Sequence, residues 1–165
     1  MKRYLYILIV AAAVVLFDQY TKQIITESLL YGQGYPVIEN FFNIVRVHNH
    51  GAAFGFLNNP DETWQFWLFA GIGVIAVIII FCYAKSAPKG SHLTFTALGM
   101  LLGGAAGNFA DRLFFGYVID FLDFHINNKH WPAFNVADIA ICAGVIILIT
   151  CSFRHGRQSK KKARV

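Results

Sequence analysis

Apolar residues along this chain gather into long runs rather than into stripes. A helix crossing hydrocarbon takes about 20 mostly apolar residues, and four segments come to that scale: 4–25, 64–84, 93–110 and 134–153. The second and third hold no charged residue. The first is unbroken from Tyr4 to Phe17 and then carries Asp18 and Lys22, and the fourth is interrupted only by Asp138 near its start. Between the first two runs lies a segment, 26–63, too long for a structureless loop in a compact protein. Its Phe41 to Val47 portion is aromatic and β-branched, with Val45 and Val47 alternating against Ile44, Arg46 and His48, which predicts a strand near the headgroups. Asn49 to Gly55 is turn-rich. Asn59 as N-cap, Pro60 at the first helical position, and Asp61 and Glu62 in the first turn mark the start of the second helix. Trp64 and Trp67 follow as interface anchors.

Composition agrees with a chain whose solvent is the bilayer: 56% of residues are hydrophobic and 14% charged, with a mean hydropathy of +0.50, outside the range of an ordinary soluble domain. Charge then orients the spans, because short cytoplasmic loops carry an excess of Lys and Arg. Ten of the 14 basic residues (Lys2, Arg3, Lys85, Lys89 and six in the tail 154–165) fall on one side. That side is read as cytoplasmic, with both termini inside. All nine acidic residues fall on the other side or at span ends facing it. The basic tail beside four spans reads as a topology signal in contact with anionic lipid, and not as a nucleic-acid arm. Lys2 and Arg3 before an apolar run also fit a cleavable signal peptide, but an early cut would discard most of the first span, so an uncleaved anchor is expected.

Other features carry less chemistry. Cys82, Cys142 and Cys151 lie inside spans and imply no disulfide framework. The six histidines have neither a Cys pair nor a His-Glu-x-x-His helix beside them, so no metal is expected. Gly99, Gly103 and Gly107 recur every fourth residue, a face that lets another helix approach closely.

Topology collects the polar residues of the spans at one leaflet. Asp18 and Lys22 lie in the outer part of the first helix, Asn108, Asp111 and Arg112 at the outer end of the third, and Asn135 and Asp138 at the outer start of the fourth. Intramembrane carboxylates are costly and point to function by default. Each also has a plainer reading. Asp18 and Lys22 are spaced as a helical ion pair; Arg112 suits a loop contact as well as a substrate carbonyl or lipid headgroup; Asp138, three residues after Asn135, suits a helix cap; and Asp120, in the apolar run Val118 to Leu122, suits an external loop acid. Taken as a pair, Asp120 and Asp138 fit two carboxyls sharing one proton, one activating water while the other protonates a carbonyl. A small ion-coupled transporter or channel subunit is the alternative. It calls for polar groups continuing to the inner leaflet, where this sequence is apolar.

Five separated blocks resemble the lipoprotein signal peptidases (signal peptidase II). They are Asp18, Gln19, Thr21 and Lys22; Asn49, Gly51, Ala52, Ala53 and Phe54; Gly107, Asn108, Asp111 and Arg112; Val118, Asp120 and Phe121; and Phe134, Asn135, Ala137 and Asp138. The resemblance spans nearly the whole chain. It implies a single integral membrane peptidase domain over residues 1–165: an all-α membrane protein of four transmembrane helices with a small β-rich cradle on the outer side. The implied activity is that of a cofactor-free aspartic endopeptidase of the bacterial cytoplasmic membrane, cutting a diacylglyceryl-modified prolipoprotein just before its lipidated Cys and blocked by globomycin. By position, Asp120 and Asp138 match the catalytic pair. Asp18, Lys22, Asn49, Gly51, Asn108, Arg112 and Asn135 match positions that support or line the site.

Overall fold

The computed structural model describes residues 1–51, 64–88 and 90–162, with backbone alone beyond 153. Four helices, α1 (Lys2–Ser28), α2 (Trp64–Ser86), α3 (His92–Phe115) and α4 (Val136–Lys162), frame a four-stranded antiparallel sheet. Its strands are β1 (Gly34–Ile38), β2 (Phe42–Asn49), β3 (Val118–Ile126) and β4 (Lys129–His130), in the order β1-β2-β3-β4. All four helices are long and apolar enough to cross a membrane by length and composition. The helix ends differ from the sequence reading. The first helix runs past 4–25 at both ends, and α3 continues through Asp111 and Arg112 to Phe115, stopping where Gly116 takes a left-handed φ of 81° and donates its N–H to the Arg112 carbonyl. Asp111 and Arg112 therefore sit in the last turns of the helix, not beyond it. The residues of the expected N-cap, Asn59 to Glu62, and the block Ala52 to Phe54 lie outside the described residues.

α3 is the axis of the bundle. Of its most apolar 18-residue window 44% is buried, against 6% for α2. The reason is its glycines. A Cβ on Gly99 would stand 2.9 Å from the Ile7 carbonyl oxygen and one on Gly103 would stand 2.7 Å from that of Ala11, so α1 packs backbone to backbone. Gly104 does the same for α4, where a Cβ would come 2.5 Å from the Ala137 carbonyl oxygen. The glycine face is thus used within the chain. At the end of the bundle where α1 begins, Ile7, Ile80, Ala84, Phe95 and Leu98 form an apolar core.

The expected strand at Phe41 to Val47 is present as β2, extended to Asn49. Three further strands, β1, β3 and β4, were not read from sequence. β1 is an exposed edge containing Pro36, which an edge tolerates because no ladder bond need be made there. β3 corrects the loop-acid reading of Asp120: the acid lies in a central strand, 3% exposed. No alternation betrays β3, since Val118 to Phe121 are all buried. Both of its faces are covered.

One irregularity in β2 matters for the site. Ile44 pairs with Leu122 but Val47 pairs with Asp120, so β2 holds one extra residue between these pairs. A bulge of one residue exchanges the faces of everything beyond it. Val47 and Asn49 thereby share the face of Asp120 and Val118. His48 is turned away, its ring stacked on Tyr31 and Tyr117 at 4.3 and 3.7 Å, and burial, then the charges of Arg46 and His50, holds its pKa below the usual histidine value.

Candidate active site

Asp120 on β3 and Asp138 in the first turn of α4 line one cavity of about 690 Å³, together with Asn49, Gly51, Asn108 and Arg112. The rest of its lining is largely apolar and includes Phe69, Trp131, Ile139, Cys142 and Ile146.

A chain of amides ties the two carboxylates together. Asn135 Nδ2 donates to Asp120 Oδ1 at 2.6 Å and to Asn108 Oδ1 at 3.1 Å, and Asn108 Nδ2 donates to Asp138 Oδ1 at 2.7 Å. Asn49 Nδ2 donates to the second oxygen of Asp120 at 3.0 Å, a contact that depends on the β2 bulge. The expected helix cap is real as well. Asp138 N–H donates to Asn135 Oδ1 at 3.1 Å while Asn135 N–H donates to Asp138 Oδ2 at 3.2 Å, a reciprocal capping arrangement. The cap and the cavity are not rival roles, because they use different oxygens of Asp138.

Behind the cavity lies a fully buried ion cluster. Lys22 Nζ reaches Asp18 Oδ2 and Asp111 Oδ2, both at 2.8 Å, and donates to Asn108 Oδ1 at 3.1 Å. The Asp18 and Lys22 pair read from the helical spacing is therefore one edge of a larger group. Each carboxylate of the cluster spends another lone pair on a backbone N–H beside a cavity aspartate. Asp18 Oδ1 accepts from Ala137 at 2.9 Å, next to Asp138, and Asp111 Oδ2 accepts from Ile119 at 3.1 Å, next to Asp120. Gln19 Nε2 joins the two acids, donating to Asp111 Oδ1 at 2.8 Å and Asp18 Oδ2 at 3.2 Å. Gly107 makes room, since a Cβ there would stand 2.7 Å from Asp18 Oδ2. Asp18 and Lys22 support the site from behind without lining the cavity. Gln19 was quoted from the sequence only as a member of a block, whereas Asp111 was already grouped with Asn108 and Arg112 at the end of the third span.

Burial, followed by the neighbouring charge of Asp138, pushes the Asp120 carboxyl up to about 7, although the hydrogen bonds from Asn49 and Asn135 pull the other way. Arg112 donates to the Gly51 carbonyl at 2.7 Å and lies 4.3 Å from the Phe69 ring centroid, so the loop contact among its readings is present. Gly51 N–H in turn donates to Asn49 Oδ1 at 3.0 Å. Among the described residues no three His, Cys, Asp or Glu side chains stand close enough to hold a metal ion.

Comparison with known proteins places this arrangement. The family model described as signal peptidase (SPase) II matches residues 10–154. A lipoprotein signal peptidase of Oleidesulfovibrio alaskensis is 48% identical over 153 residues, covering 93% of this chain and 97% of the relative. One of Paraburkholderia phytofirmans is 46% identical over 151 residues, covering 92% and 86%. A solved structure described as a bacterial membrane enzyme superposes with a TM-score of 0.79 at 34% identity, covering 90% of this chain and 87% of its own. A match across that much of the chain, with the same four-helix frame, means that this protein belongs to the signal peptidase II family.

Proposed function

We propose that this protein removes the signal peptide from diacylglyceryl-modified bacterial prolipoproteins, cutting the bond just before the lipidated cysteine, with Asp120 and Asp138 as the catalytic carboxylates. Family membership supports the substrate class. The observation that carries the chemistry is a pair of carboxylates from two different elements, bridged by Asn135 and Asn108, lining one cavity that is otherwise largely apolar.

Asp120, with its carboxyl raised to about 7, is the member that carries the shared proton near neutral pH. Asp138 sits at the positive end of the α4 dipole, which favours negative charge there, and takes a proton from the attacking water. The water oxygen adds to the scissile carbonyl carbon while Asp120 hydrogen-bonds the carbonyl oxygen. Collapse of the tetrahedral intermediate breaks the C–N bond, and the proton gained by Asp138 passes to the leaving amine. The products are a signal peptide with a new carboxylate and a lipidated cysteine with a free amino group. No resident cofactor enters these steps.

The asparagines hold each carboxylate in place through its lone pairs, and the buried cluster of Asp18, Lys22 and Asp111 fixes the backbone one residue away from each acid. These are positioning residues. The apolar wall suits acyl chains, and a diacylglyceryl anchor reduces the search for the cut bond to one depth in the bilayer. Both termini face the cytoplasm in this reading and the cavity opens toward the outer leaflet, with globomycin competing for it.

The decisive experiment is cleavage of a purified lipidated precursor, compared with its unlipidated form, by the wild-type protein and by Asp120→Asn and Asp138→Asn. Turnover of the lipidated form alone, insensitive to chelators and lost in both variants, is expected. Full activity in either variant would remove the pair from the mechanism.

A further inference from the structure

At the end of the bundle opposite the aspartates, the start of α1 and the start of α3 enclose a second cavity of about 520 Å³, lined by Lys2, Arg3, Tyr6, His92 and Phe95 among others. Arg3 and Asp18 are 15 residues apart on α1, so at 1.5 Å per residue this cavity lies roughly 22 Å along the helix from the ion cluster. It takes no part in the chemistry proposed above.

Arg3 is fixed there by the end of α2. Its Nη1 donates to the carbonyl oxygens of Ala84, Lys85 and Ala87 at 2.9, 3.1 and 3.3 Å, groups that a helix C-terminus leaves without partners. One nitrogen serves all three acceptors, and Arg3 also lines the cavity. The lower wall is equally ordered: Tyr6 Oη and Thr96 Oγ1 share a hydrogen bond of 2.9 Å, and the His92 ring stands edge-on to Tyr6 at 5.8 Å. Among the described residues neither Lys2 nor Arg3 forms a salt bridge with a carboxylate. Asp18, Asp111 and Asp138 lie at the other end of their helices, so among the described residues the cations here have no carboxylate partner.

We infer that this cavity binds the phosphate headgroup of an anionic phospholipid of the inner leaflet, with Arg3 and Lys2 on the phosphate, His92 at the headgroup, and Tyr6 and Phe95 against the upper acyl chain. The chemistry of the lining agrees with such an occupant, since it joins two cations to the aromatic rings of Tyr6 and Phe95. A juxtamembrane Lys or Arg gains about 1 kcal/mol from an anionic surface, close to a five-fold change in affinity. Binding would lock the first turn of α1 to the α2–α3 connection. The assignment to the inner leaflet rests on the orientation proposed above, whereas the cavity itself does not.

The test is lipid retention by the full chain in nanodiscs of phosphatidylcholine doped with phosphatidylglycerol, read by native mass spectrometry after release into detergent. The expected result is preferential retention of phosphatidylglycerol over phosphatidylcholine of the same chain length. Lys2→Gln should lower it about five-fold, and Lys2→Gln with His92→Gln further; both leave the Arg3 contacts intact. Replacing the six basic residues of the tail by Gln should leave retention unchanged. Retention that follows the tail and ignores Lys2, or that excess inorganic phosphate abolishes, overturns the proposal. Precursor cleavage by these variants should match wild type. Both leaflets of a nanodisc carry the same lipid, so an error in orientation or in the catalytic reading would leave the binding result standing.

Discussion

At the end of the bundle where α1 begins, Ile7, Ile80, Ala84, Phe95 and Leu98 are buried as an apolar cluster, while toward the opposite end Asp18, Lys22 and Asp111 are buried just as fully. Apolar packing supplies cohesion and tolerates exchange of similar volumes. A buried ion group gains little net stability after desolvation, yet removal of one member leaves a bare charge. The apolar cluster therefore adds cohesion between the helices, and the ion cluster decides where the backbone beside Asp120 and Asp138 must lie.

The sharpest break of that contrast is at the acids themselves. Asp120→Asn and Asp138→Asn should each lower kcat/KM for a lipidated precursor by about a thousand-fold or more, with little change in apparent melting temperature. A large loss of stability instead would make these acids structural.

Next in size is Lys22→Met, which leaves Asp18 and Asp111 facing each other without their cation and should cost about 3–5 kcal/mol, seen in denaturant or thermal inactivation curves. Replacing all three together (Asp18→Leu, Lys22→Met and Asp111→Leu) should recover much of that stability and none of the cleavage. Recovery of both would show that the cluster positions nothing.

Gly104→Ala is a packing test against the start of α4. Its Cβ would meet the Ala137 carbonyl oxygen at 2.5 Å and should cost about 1–3 kcal/mol while displacing the α4 start. Gly71→Ala on α2 has nothing within 4 Å and should be neutral within about 0.5 kcal/mol.

The smallest effect is on pH dependence. If Asp120 acts in its protonated form, activity should fall as pH rises past about 7, where that carboxyl ionises. Asn49 donates to the ionised form and so lowers the Asp120 pKa; Asn49→Ala should move the basic limb of the kcat/KM profile upward. A downward shift, or none, would assign that limb to another group.

Much of the fold was legible because membrane spans announce themselves by length and apolarity. β3 was not, because burial on both faces of Val118 to Phe121 erases the alternation by which a half-buried strand is recognised. The spacing of Asn135 and Asp138 announced a cap, and the structure contains it. Spacing along one element cannot tell that the remaining oxygen of that carboxylate receives Asn108 from another helix. For the same reason Asp18 and Lys22 looked like a local pair, when Asp111, 89 residues beyond Lys22, completes them.

By itself the sequence determined four spans, the asymmetry of charge that orients them, the glycine face of α3 and the five blocks of the family, since each rests on residue type at short range. Only the tertiary structure decided which residues meet. A one-residue bulge in β2 chose Asn49 over His48 as the partner of Asp120, glycines without side chains let α1 and α4 close on α3, and one lysine joined two acids that steer the backbone beside each cavity aspartate. Such contacts depend on register and on distances between elements, which side-chain chemistry along the chain does not encode until the elements pack.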